Sequence, residues 1–242
     1  MGIEFASYVL AVCVSFGVGI PILLDSRKRD DRPALYLALA VISDGVEWAF
    51  WTLSVQTPAL GTSLGDAFSI GSRVWITIAA IFFGVFTCAV FRRDSRPASI
   101  ATALLALAMV VGFIGSGLRG DWPGYRGDNA WIWLENTAQL IVYTWGGIEA
   151  LRFHAKLRRR LAHGLSDPVI TNRVLLWAIY GLTFAVSLVL YQVALGAADQ
   201  LTDLDGFISG VAAIGKVTLW FAFFPPRRYR DWLRVGAAPT RP

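Results

Sequence analysis

Charge is scarce in this sequence: Asp, Glu, Lys and Arg together make up 16% of 242 residues, against about 25% in an ordinary soluble domain. Two cysteines, Cys13 and Cys88, and two histidines, His154 and His163, are all it has of either type. Neither cysteine lies in a loop expected outside the cell, so no structural disulfide is predicted. Both histidines fall in one basic loop, which argues against a His-ligated zinc site and against a Ser–His protease centre within the membrane. No P-loop or dinucleotide-binding glycine pattern occurs. The N-terminus lacks the basic n-region of a cleavable signal, so Met1–Glu4 should lead directly into an apolar helix.

Hydrophobicity is what the sequence has in abundance. Apolar residues make up 55% of the chain, and the mean hydropathy is +0.54. Seven apolar stretches follow one another: residues 5–24, 33–53, 68–91, 99–118, 130–151, 174–195 and 207–224. Each is long enough to cross a bilayer and must be helical there, because lipid offers no partner to backbone polar groups. The expected fold is all-α: a polytopic bundle of seven transmembrane helices over residues 1–226, then a basic interfacial segment over 227–242. Seven spans of ~20 residues use roughly 140 residues, leaving short loops and no room for a separate soluble domain.

The net charge of +5 has an origin other than nucleic acid. Basic residues crowd the first loop (Arg27, Lys28, Arg29, Arg32), the third (Arg92, Arg93, Arg96), the fifth (Arg152, Lys156, Arg158, Arg159, Arg160, Arg173) and the tail (Arg227, Arg228, Arg230, Arg234, Arg241). The second and sixth loops have none, and the fourth has Arg119 and Arg126. This alternation needs an odd number of spans and places the basic side in the cytoplasm. It predicts an external N-terminus, a cytoplasmic C-terminus and a plasma (bacterial inner) membrane location. No nucleic-acid partner is expected.

Smaller signals agree. Trp51, Trp122, Trp131 and Trp133 fall near one interface, and Trp177, Trp220 and Trp232 near the other, as in aromatic belts. Asp167-Pro168 can open the sixth helix, and Pro225-Pro226 should end the seventh. Beyond it, Tyr229, Trp232 and Leu233 share a face among arginines, the pattern of a helix lying on anionic headgroups. No internal repeat of the transporter kind is visible.

Ionisable residues inside spans are costly and mark functional sites by default. The candidates are Asp44, Glu47, Arg73, Glu135 and Lys216, with Gln139 and Gln192 as polar neighbours; Asn136 continues the stripe from Glu135. Asp44 and Glu47 are three apart and share a helix face. Helix directions put Glu47, Arg73, Glu135 and Gln192 in the outer half, with Asp44 and Lys216 near the middle. A polar, outward-opening pocket for a small or lipid-like ligand is expected. In an enzyme, Asp44, Glu47 and Glu135 would be the catalytic acids. Glu149 is expected beside Arg152 at the cytoplasmic end. Asp66, Asp203 and Asp205 are assigned to the outer rim as helix caps. No metal site and no cofactor are assigned.

Three resemblances bear on function. The segments GLSDPVITNRVLLW and LWFAFFPPRRYRDW are similar to parts of a bacterial seven-helix membrane family without an assigned activity. Lys216 in the seventh helix, with Trp177 to Tyr180 in the sixth, resembles the retinal site of microbial rhodopsins. The sequence departs from that pattern where Ala212 replaces the carboxylate four residues before the lysine, and where Val74, Trp75 and Ile76 follow Arg73. Seven spans with membrane carboxylates and the Glu47-Trp48 pair resemble small membrane-bound terpene cyclases, in which buried acids protonate an olefin or epoxide; Trp48, Phe50, Trp51 and Trp75 would then shield a carbocation. The first reading is a receptor-like or sensor-like protein, with a cytoplasmic partner at the fifth loop and tail. A cyclase-like enzyme comes second, a small-solute transporter third and a retinal photoreceptor last.

Overall fold

The structure is a computed structural model that describes residues 2–56, 62–124, 127–196 and 201–236. Arg126, Gln200 and Arg241 lie outside the described residues, as do the side chains of Asp203 and Asp205. The chain is all-helical where described. It comprises α1 (Gly2–Arg29), α2 (Arg32–Gln56), α3 (Thr62–Phe91), α4 (Arg96–Leu118), α5 (Ala130–Ala162), α6 (Pro168–Gly196), α7 (Leu201–Phe223) and α8 (Arg227–Gly236).

Each of the first seven helices packs on its chain neighbour, α1 closes against α7, and α3 also touches α5. The result is a ring with α4 on its outside. Among the described residues six helices are long and apolar enough to cross a membrane: α1, α2, α3, α4, α6 and α7. The chain is thus a multi-pass protein built for a lipid environment. Side chains such as Ile100, Leu104, Leu107 and Val193 are more than half exposed, which is tolerable only where the surroundings are apolar.

The helix ends follow local chemistry. Ser95 caps α4, accepting from the Ala98 N–H at 3.4 Å. Asn129 caps α5 through the Trp131 N–H at 3.1 Å. The expectation for Asp167-Pro168 is met: the Asp167 carboxylate accepts from Val169 N–H at 2.6 Å, and α6 begins at Pro168. Pro225-Pro226 separates α7 from α8. On α8, Tyr229 stacks on Trp232 at 5.9 Å between ring centroids and accepts a hydrogen bond from Asn172 Nδ2. The helix is thereby docked on α6, with Trp232 exposed. Both cysteines are free.

Small residues set the interhelical distances, as is usual in membrane bundles. A Cβ at Gly112 would lie 2.8 Å from the α5 backbone, and Gly181 on α6 approaches the Cα of Gly147 on α5 to within 3.3 Å of its own Cβ position. In the centre, Tyr143 stacks between Phe83 (4.9 Å) and Phe184 (4.2 Å), with Tyr180 edge-on to Phe83. This aromatic layer closes the middle of the ring. The arginine-rich end is tied by Glu149, which accepts from Arg92, just beyond α3, at 2.7 Å and from Arg152 at 3.2 Å. The Arg152 contact was foreseen; Arg92 adds the link between helices. Arg173 donates to the Ala222 carbonyl at 2.8 Å and so joins α6 to the end of α7.

Candidate functional site

The ionisable residues singled out from the sequence are drawn together, but into two different arrangements. The first is sealed. Lys216 on α7 donates to Asp44 Oδ2 on α2 and, at 3.1 Å, to Ser15 Oγ on α1; Ser15 donates to the same carboxylate oxygen at 2.7 Å. Lys216 and Ser15 are completely buried and Asp44 nearly so. The ammonium also lies 5.7 Å from the Tyr180 ring centroid. Gly45 makes the close approach of α1 and α2 possible, because a Cβ there would meet Ser15 at 2.8 Å.

The second arrangement ties the α4–α5 loop to the bundle. Arg73 on α3 donates through Nη1 to the carbonyls of Asp121 (3.2 Å) and Trp122 (2.7 Å), and through Nη2 to Ser116 Oγ (3.0 Å) and Glu135 Oε2. Thr77 donates to the other Glu135 oxygen at 3.0 Å. The guanidinium lies 5.3 Å from the Phe113 ring centroid. Arg73 therefore fixes α3, α4, α5 and their connecting loop at one point, a task its planar fork suits and a lysine does not.

Between these two arrangements lies a cavity of about 150 Å³. Six helices contribute to its wall: Tyr8 from α1; Glu47, Trp48 and Trp51 from α2; Ser72, Arg73 and Ile76 from α3; Ile132, Glu135, Asn136 and Gln139 from α5; Phe184, Ser187, Leu188 and Tyr191 from α6; Ile208, Ser209 and Ala212 from α7. Gly124 of the α4–α5 loop covers one end. Its φ of +81° suits glycine, and a Cβ there would meet Arg73 at 2.8 Å. The lining is mostly apolar and aromatic, with Tyr8 and Trp48 rings 5.6 Å apart.

The polar atoms in this wall are unevenly satisfied. Glu47 Oε1 accepts from Ser72 at 3.3 Å, whereas Glu47 Oε2, Trp48 Nε1 and Asn136 Nδ2 are buried without a protein partner. Buried polar atoms normally find partners, and an orphaned one costs about 1–3 kcal/mol. All three belong to residues that line the one cavity.

Of the residues expected at a ligand pocket, Glu47, Arg73, Glu135 and Gln139 line this cavity. Asp44 and Lys216 do not line it; they are joined to each other. Gln192 lies elsewhere on α6, its amide 3.4 Å from Thr137 Oγ1. Asp66 is exposed at the start of α3. Trp177, near the arginine-rich end, packs tilted against Phe223 and edge-on to Phe86. The hydroxyls Ser15, Ser72, Thr77 and Ser116 complete the network without having been singled out, since isolated Ser and Thr in an apolar stretch read as packing residues.

Three comparisons with known proteins add no analogy to this geometry: no family model, no curated protein and no solved structure matches the chain.

Proposed function

We propose that the chain is a seven-span membrane protein of the receptor-like or sensor-like kind, binding a small amphiphilic molecule in the cavity beneath the α4–α5 loop. The observation that carries this reading is that Glu47, Trp48 and Asn136, each with an unpartnered buried polar atom, meet in one mostly apolar and aromatic wall. A mostly apolar pocket with a few convergent polar groups is the usual form of a small-molecule site.

The seventh span is α5. Its 33 residues reach about 50 Å at 1.5 Å per residue, more than a bilayer core requires. Its polar residues Glu135, Asn136 and Gln139 are buried, while Leu134, Ile141, Ile148 and Leu151 face outward. A lipid-facing surface of this kind supports a span that composition alone underrates. The positive-inside rule orients the bundle with its arginine-rich end in the cytoplasm and its N-terminus outside. The basic end of α5 and helix α8 then offer a surface to a cytoplasmic protein and to lipid headgroups.

The test is a thermal-shift screen of small amphiphiles on the purified protein in lipid nanodiscs, repeated on Ser209→Phe, which fills the cavity. Ligands of this site should raise the melting temperature of the wild type and lose their effect in the variant. Persistence of every shift in Ser209→Phe would sink the reading.

One observation favours a second reading, an acid-catalysed enzyme acting on an apolar substrate. Glu47 lines the same cavity as Trp48, Trp51 and Tyr8, where an acid could protonate an olefin and the rings could face the cation formed. Glu47 would be the proton donor, because Asp44 and Glu135 are held by Lys216 and Arg73. Conversion of an added isoprenoid by the wild type, absent in Glu47→Gln, would select this reading.

A further inference from the structure

We infer that the cavity takes an organic ammonium ion: a small amine with an apolar, preferably aromatic body. The inference rests on the ligand-binding reading and names the chemistry of the ligand.

Charge pairing inside the bundle leads to it. Arg73 is paired with Glu135, and Lys216 with Asp44. Among the described residues Glu47 forms no ion pair, and its Oε2 has no hydrogen-bond partner. The interior therefore carries one more carboxyl group than it has cations to match. A carboxyl group at that depth either keeps its proton or is matched by a cation, and the cavity that Glu47 lines is where a cation could come from.

The other ligand classes fit less well. An anionic ligand would need a basic group with donors to spare. Both terminal nitrogens of Arg73 are engaged by four acceptors, and the Lys216 ammonium is enclosed by Asp44 and Ser15. A carboxylate or phosphate would meet Glu47 head-on without a free cation. A neutral ligand without a hydrogen-bond donor would leave Glu47 Oε2 unpartnered. An ammonium ion would neutralise it and face the rings of Tyr8, Trp48 and Trp51, the surroundings in which buried cations are stabilised by aromatic quadrupoles. Trp48 Nε1 and Asn136 Nδ2, both donors, would accommodate a hydroxyl or ether oxygen on the body. A volume of about 150 Å³ is of the size known to admit a single benzene ring, which suits a body of one ring or its aliphatic equivalent on a short aminoalkyl arm.

The experiment compares three molecules of one skeleton: phenethylamine, 2-phenylethanol and phenylacetate. Each is titrated against the wild type in nanodiscs by thermal shift. Phenethylamine should stabilise the protein at concentrations where the alcohol and the carboxylate do not, and its apparent Kd should weaken tenfold or more in Glu47→Gln. That variant's own melting temperature reports whether it is folded, and the comparison on the wild type needs no variant at all. If 2-phenylethanol or phenylacetate binds as well as phenethylamine and Ser209→Phe abolishes it, the pocket stands and the ammonium inference falls. If phenethylamine keeps its full effect in Glu47→Gln, it binds elsewhere and the inference is wrong. If none of the three shifts the wild type, the ammonium inference is likewise overturned, while the broader screen still decides whether the cavity binds anything.

Discussion

Lys216 and Asp44 come from opposite ends of the sequence and meet in a fully enclosed ion pair, with Ser15 as a shared hydrogen-bonding partner. The pair ties α7 to α2 through α1 and contributes no atom to the neighbouring cavity wall. Removing one charge from such a pair strands the other, whereas removing both does not. Lys216→Met and Asp44→Ala should each lower stability by about 3–5 kcal/mol. The double variant Asp44→Asn/Lys216→Met should recover most of that loss. Unfolding in mixed detergent micelles measures all three. Ser15→Ala should cost far less, about 0.6 kcal/mol, the average for a hydrogen bond between membrane helices. Equal losses in the single and double variants would show that the pair does not act as a unit.

Glu47 should behave in the opposite way to Asp44, although the two are one helical turn apart. It has no cation partner to strand, and its carboxyl already lacks one hydrogen bond. Glu47→Gln keeps the shape and removes a charge that burial opposes. Its stability in the absence of ligand should equal or exceed that of the wild type under the same unfolding assay. A loss of 2 kcal/mol or more, on the order of a broken buried pair, would mean that Glu47 is held by an interaction other than the Ser72 hydrogen bond.

Arg73 should be irreplaceable by lysine. An ammonium group cannot reach two carbonyls, a hydroxyl and a carboxylate with the geometry of a guanidinium. In Arg73→Lys the loop between α4 and α5 should lose part of its attachment. Hydrogen exchange at Asp121 and Trp122 should quicken at least tenfold relative to the wild type, while the α1–α2 contact around Gly45 stays protected. Unchanged exchange at the loop would show that Asn129, which donates to Asp121 Oδ2 at 3.3 Å, suffices to hold it.

The parts of this molecule legible in its sequence are those set by local rules. Long apolar runs gave the helices, Asp167-Pro168 gave the start of α6, and Pro225-Pro226 gave the break before α8. The polar residues of the apolar runs included Glu47, Arg73, Glu135 and Gln139, which line the cavity. Their pairing was not legible, because it depends on helix rotation and ring order. Asp44 and Glu47 share a face by spacing, yet one is claimed by Lys216 across the ring and the other faces the cavity. The α5 helix shows the converse limit: buried Glu135, Asn136 and Gln139 and the exposed basic residues of its last turns lower its average, while Leu134, Ile141, Ile148 and Leu151 are exposed between them.

The orientation of the bundle can be tested independently of any ligand. Arginine crowds the end where α3, α5 and α7 finish, and the expectation is that this end is cytoplasmic. In a background of Cys13→Ala and Cys88→Ala, a membrane-impermeant maleimide should label Thr62→Cys, at the opposite end, in intact cells. His163→Cys, exposed just beyond α5, should be labelled only after the membrane is opened. The pair of positions brackets α3 to α5, so the result also fixes the parity of the spans between them. If α5 did not cross, residues 62 and 163 would lie on the same side and label together. Opposite labelling with 163 reacting first would keep three crossings but invert the bundle, placing the cavity and its Arg73-held loop on the cytoplasmic side.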